Sequence, residues 1–135
     1  MDYLIGVMLA LATGVFGTVV GLDRERGFYP VVLVVIASYY VLFAVMGGDI
    51  GALAVEVGIM AGFMALAVVG FRRAPWLVVA GLAGHGVLDL VHPHLVTNPG
   101  VPVWWPVFCM AFDVAAAGYL ALRLVRDRRA TGPAA

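Results

Sequence analysis

Glu56, His85, Asp89, His92, Cys109 and Asp113 interrupt sequence that is otherwise almost wholly apolar around them. His85, Asp89 and His92 stand at i, i+4 and i+7, which places them on one face of a helix. Cys109 and Asp113 stand at i, i+4 and share a face of the next helical segment. Two facing helices would bring imidazoles, carboxylates and a thiol to one pocket. Those are the ligand types of divalent transition metals, zinc first, then iron or copper. The expected metal ligands are therefore His85, Asp89, His92, Asp113 and Cys109. Zinc with an open position makes its bound water a nucleophile near neutral pH, and Glu56 or Asp113 would then serve as general base. Two other chemistries fit the same residues: a proton or ion relay, and plain hydrogen bonding between helices.

The elements that position these groups follow from composition. Of 135 residues, 64% are hydrophobic and 12% charged, with a mean hydropathy of +1.05. A soluble domain is nearer half apolar and a quarter charged, and one of this size cannot hide so much apolar surface. A soluble enzyme and a disordered chain are both excluded on that ground. Eight basic and eight acidic residues cancel, so nothing recommends a nucleic-acid partner. The chain reads as an all-α integral membrane bundle of five transmembrane helices, over about residues 3–22, 30–46, 52–71, 76–92 and 106–125. These form a single domain, 1–125, followed by a flexible polar tail, 126–135. Pro30, Pro75 and Pro106 suit helix starts, and Pro93 is expected to stop the fourth span at His92. The loop 94–103 carries the turn residues Asn98, Pro99, Gly100 and Pro102. Trp104 and Trp105 suit an interfacial anchor.

Every basic residue is an arginine. Arg24 and Arg26 lie in the first loop, Arg72 and Arg73 in the third, and Arg123, Arg126, Arg128 and Arg129 at the C-terminal end. The positive-inside rule then puts the N-terminus outside and the C-terminus in the cytoplasm. The ionisable groups fall at matching depths toward the outer side, ~5–10 Å into their spans at 1.5 Å per residue. Ionisable side chains within spans are costly to keep and so mark function. Tyr39 and Tyr40 lie too deep for the interfacial belt, so at least one hydroxyl needs a partner inside the bundle.

Other chemistries find no footing. The single Cys109 rules out an internal disulfide. The chain has no lysine, which excludes a retinal-type Schiff base. There is no phosphate-binding loop, dinucleotide glycine fingerprint or serine-hydrolase elbow. All three histidines crowd one segment, which disfavours haem held between helices. Gly17-x-x-x-Gly21 and Gly58-x-x-x-Gly62 permit close helix contact, either within the monomer or across a homodimer.

The segments Arg26-Gly27-Phe28-Tyr29-Pro30 and Ile36-Ala37-Ser38-Tyr39-Tyr40 carry a resemblance, as does the run Gly84-His85 to Asp113 through Asn98-Pro99-Gly100-Val101-Pro102 and Trp104-Trp105-Pro106. Together they resemble a group of small uncharacterised bacterial polytopic inner-membrane proteins. The resemblance implies a multi-pass protein of the cytoplasmic membrane, with no established activity. A looser similarity is to ceramidase-type and receptor-like membrane hydrolases, which hold zinc with His and Asp on transmembrane helices. Those have more spans and a serine pattern absent here. The leading expectation is thus a metal-dependent membrane enzyme, with the bilayer as its partner and a lipid-like or small substrate. A metal-ion or small-solute carrier is the alternative, and a non-catalytic assembly or sensing subunit is a third.

Overall fold

The structure is a computed structural model and describes residues 1–130, apart from the side chain of Glu25. Five helices account for nearly all of it: α1 (Asp2–Val20), α2 (Phe28–Gly47), α3 (Ile50–Arg72), α4 (Trp76–Leu95) and α5 (Trp105–Ala130), with a short 3₁₀ turn (Leu22–Glu25) after α1. There are no strands among the described residues. All five helices are long and apolar enough to cross a membrane. Their outward faces are apolar too: Val19, Val31 and Val87 are each more than 60% exposed. Water would not tolerate such a surface, whereas hydrocarbon requires it.

The helix ends follow local chemistry. Gly21 ends α1 in the left-handed region at φ 84°, so it is a helix cap and not the second half of a packing motif. Gly48 ends α2 the same way at φ 68°, its N–H donating to the carbonyls of Ala44 and Val45. Asp49 then caps α3, its carboxylate accepting from the Ala52 N–H at 2.9 Å. Two ends differ from expectation. α4 runs through Pro93 to Leu95, because a proline in the final turn deletes only the bond to the Asp89 carbonyl, and the Val96 N–H still reaches the His92 carbonyl at 2.9 Å. The expected flexible tail is helical as far as Ala130, where Arg128 lies over the Trp76 ring at 5.7 Å. Residues 131–135 lie outside the described residues.

Around the bundle the helices follow the order α1, α5, α4, α3, α2. α1 packs along α5 through its small residues. A Cβ on Gly6 would collide with the Phe108 carbonyl oxygen, and one on Gly14 would meet the Tyr119 ring at 2.9 Å. Gly17 is closed inside the monomer by Phe28, at 2.8 Å from a built Cβ, whereas Gly58 and Gly62 face open space. By chain direction all eight arginines gather at one end of the bundle, and the loop joining α4 to α5 covers the other.

Candidate metal centre

The polar core is built where α4 and α5 meet. The loop between them is short, so they run side by side in opposite directions. Gly86 on α4 permits the close approach: a Cβ there would sit 3.2–3.3 Å from Val114, Asp113 and the Met110 carbonyl. The shared faces expected from the spacing then converge. His85, Asp89, Cys109 and Asp113 each offer one donor atom, all within 4.8 Å of one another, and all four residues are buried. His85 Nδ1 stands 2.7 Å from Asp113 Oδ2 and 3.6 Å from Asp89 Oδ2. Cys109 Sγ lies 4.0 Å from Asp113 Oδ2. Four donors at zinc bonding distances in a tetrahedron stand about 3.3–3.7 Å apart, so the closest pair must open and the widest close, by up to about 1 Å, to complete the sphere.

Hydrogen bonding leaves this group incomplete. His85 Nε2, Asp89 Oδ2 and Asp113 Oδ1 are buried without a hydrogen-bond partner. Buried polar atoms are ordinarily satisfied, so three orphans in one cluster need a cause. Charge points the same way. Two carboxylates lie together with one imidazole, all 0% exposed, and buried charge is tolerated only when paired or coordinated. A divalent cation cancels both carboxylates at once. Tyr40 on α2 braces the cluster, its hydroxyl donating to Asp89 Oδ1 at 2.7 Å. That partner answers the expectation of a buried tyrosine contact. The Phe63 ring of α3 meets the His85 ring edge-to-face at 4.9 Å.

The structure does not bring His92 or Glu56 into this group. His92 Nε2 donates instead to Glu56 Oε1 of α3 at 2.7 Å, and its ring stacks on Tyr40 at 3.9 Å. The physical reason is the rise along the helix. Seven residues return to the same face but ~10 Å further along the axis, where α4 looks at α3 and the loop. Asn98 completes this second cluster, Nδ2 donating to Glu56 Oε1 at 3.0 Å and to the Tyr40 carbonyl at 3.1 Å. Sequence reasoning treats Asn98 only as a turn residue. The unclaimed buried carboxylate of Glu56 was the one signal that a further donor had to come from somewhere. His94 is exposed in the last turn of α4 and touches neither cluster.

Gly100 seats the loop. Its own Cβ would run into the Phe43 carbonyl, so only glycine lets Asn98 reach inward between α2 and α3. The cluster is thereby closed from the loop end. From the side, an apolar groove of about 390 Å³ opens between α1 and α2, with Val32, Ile36 and Phe112 among its walls and Cys109 lining it too. No family model, no curated protein and no solved structure matches this chain.

Proposed function

We propose that this multi-pass membrane protein binds a divalent transition metal, zinc first and iron or copper after it, through His85, Asp89, Cys109 and Asp113. The observation that carries the reading is four donors of metal-ligand type gathered out of water with three of their polar atoms unpartnered. One imidazole, two carboxylates and one thiolate form a four-donor set of the kind that fills a tetrahedral sphere. Tyr40 would orient the Asp89 carboxylate, the usual task of a hydrogen bond behind a ligand. The test is the metal content of untagged protein purified without chelator, beside His85→Ala and Glu56→Gln variants. About one equivalent of metal is expected, lost in His85→Ala and kept in Glu56→Gln. Metal absent from the parent protein would leave the cluster a hydrogen-bonded helix clamp and end the reading.

A second reading, a metal-dependent hydrolase acting on a lipid-like substrate, is favoured by the lateral groove, which reaches Cys109 from the bilayer side. In that reading His85, Asp89 and Cys109 would hold the metal with one position open, and Asp113, released from the sphere, would be the base, since Glu56 is engaged by His92 and Asn98. The membrane would be the cytoplasmic one, with the N-terminus outside and the arginine end in the cytoplasm. A reporter active only in the cytoplasm, fused after Ala135, is expected to be active. A homodimer would form through the outward Gly58 and Gly62.

A further inference from the structure

At the far end of the bundle from the metal ligands, a pocket of about 610 Å³ is lined by Arg24, Arg26, Arg123 and Arg128 together with Asp23 and Asp127. Four guanidiniums against two carboxylates leave a surplus of positive charge. Part of it is committed within the protein: Arg123 pairs with Asp23 at 3.2 Å, and Arg128 covers the Trp76 ring. Arg24 and Arg26 are exposed and have no acidic partner among the described residues. Arg26 also holds a left-handed backbone, φ 57°, that glycine would adopt without strain. The pocket contains a further donor. Tyr29 is 5% exposed, lines the cavity, and its hydroxyl has no hydrogen-bond partner.

The pocket does not end in water on every side. Pro30 forms part of its wall and also part of a second groove, about 320 Å³, that runs over the lipid-facing surface between α2 and α3. Val31, Val34, Ala67 and Phe71 line that groove, and no polar atom is exposed in it. A ligand that satisfies both must have an anionic head and an apolar tail. The arginine end stands at headgroup depth, where basic side chains attract anionic lipid. Guanidinium and phenol donors suit phosphate oxygens.

We propose that this pocket and groove hold one anionic phospholipid, with its phosphate against Arg24, Arg26 and Tyr29 and an acyl chain along α2 and α3. The site is independent of the metal centre and shares no residue with it. Two guanidiniums, each worth about a fivefold gain in affinity near a lipid surface, should together contribute roughly thirtyfold.

The experiment is native mass spectrometry of the full chain in mild detergent, titrated with phosphatidylglycerol or phosphatidylcholine. The parent protein should bind phosphatidylglycerol preferentially. Arg24→Gln/Arg26→Gln should lose that preference by roughly thirtyfold. Arg126→Gln/Arg129→Gln, which removes equal charge outside the pocket, should keep it. Val34→Trp, filling the groove, should weaken both lipids. Soluble glycerol phosphate should not displace bound lipid at comparable concentration. Equal retention of the two lipids would overturn the proposal, as would an equal loss in both arginine double variants, which would reduce the effect to net charge. Displacement by glycerol phosphate would overturn it in favour of a free phosphate ligand. Arg24 and Arg26 are exposed, so their replacement leaves the bundle intact, which unchanged thermal unfolding would verify.

Discussion

Removing a single oxygen atom tests the architecture of the polar core. Tyr40→Phe deletes the hydroxyl that donates to Asp89 Oδ1 at 2.7 Å and keeps the ring that stacks on His92 at 3.9 Å. Packing is conserved, so the change isolates the hydrogen bond. Bonds between transmembrane helices average only ~0.6 kcal/mol and reach ~1.7, while hydrogen bonds to charged groups are worth ~1.5–3. The upper range applies here. Asp89 is 0% exposed, its Oδ2 has no hydrogen-bond partner, and the His85 Nδ1 at 3.6 Å is beyond bonding distance. Without Tyr40 that carboxylate keeps no hydrogen bond at all, and a loss of about 2 kcal/mol follows. For a metal-loaded protein, loss of a group that orients a ligand lowers affinity roughly ten- to a hundredfold. The assay is reversible unfolding in mixed micelles together with chelator competition, run as a double-mutant cycle with Asp89→Asn. The two changes should be strongly non-additive. Additive effects within about 0.5 kcal/mol, with metal affinity unmoved, would refute the reasoning and show that Tyr40 and Asp89 are neighbours without being coupled.

Other substitutions probe the remaining contacts. Glu56→Ala strands His92 Nε2, leaves Asn98 Nδ2 only the Tyr40 carbonyl, and should cost about 3 kcal/mol in unfolding measurements, while metal content stays constant because none of these residues belongs to the four-donor group. Gly100→Ala drives a methyl into the Phe43 carbonyl, and overpacking of this kind should lower stability by about 1–3 kcal/mol and expose the loop to protease. Gly6→Leu should detach α1 from α5, read as new cross-linking between α1 and lipid with α2–α5 still compact. Cys109 is buried, lines the lateral groove and as a ligand would be masked by metal, so a small apolar maleimide should label it in membranes only after chelation, and a charged thiosulfonate should not label it at all.

Long apolar runs broken by arginine turns leave few alternatives to five spanning helices, and that much was legible from composition alone. The pairing of α4 with α5 was legible too, because a short loop and two i, i+4 pairs restrict how the helices can face each other. Periodicity fails at the next level. It reports the angle at which His85, Asp89 and His92 leave α4, and it says nothing of which neighbour waits at each depth. His92 and Glu56 therefore separate from the metal-type ligands for a reason that resides in α3. Asn98 was hidden for a different reason: its residue type suits a turn so well that a buried role leaves no mark. The docking of α1 on α5 was illegible because it depends on surface shape, on where a glycine exposes backbone to Phe108 or Tyr119, and not on polarity.

That docking has a consequence for how the chain is made. Of the five helices α1 leaves the ribosome before the others, and its principal partner, α5, leaves after them. Until then α1 waits in the bilayer with only its Gly17 end covered, by Phe28 of α2, while lipid fills the face at Gly6 and Gly14 that α5 will occupy. Cys109 and Asp113 also arrive with α5, so the same final insertion event closes the bundle and completes the polar centre. A chain truncated before Trp105 would retain four hydrophobic spans while leaving His85 without Asp113, and Asp89 with Tyr40 alone. Such products carry unmatched polar groups in the hydrocarbon, a feature by which membrane quality control can tell an unfinished copy from a finished one.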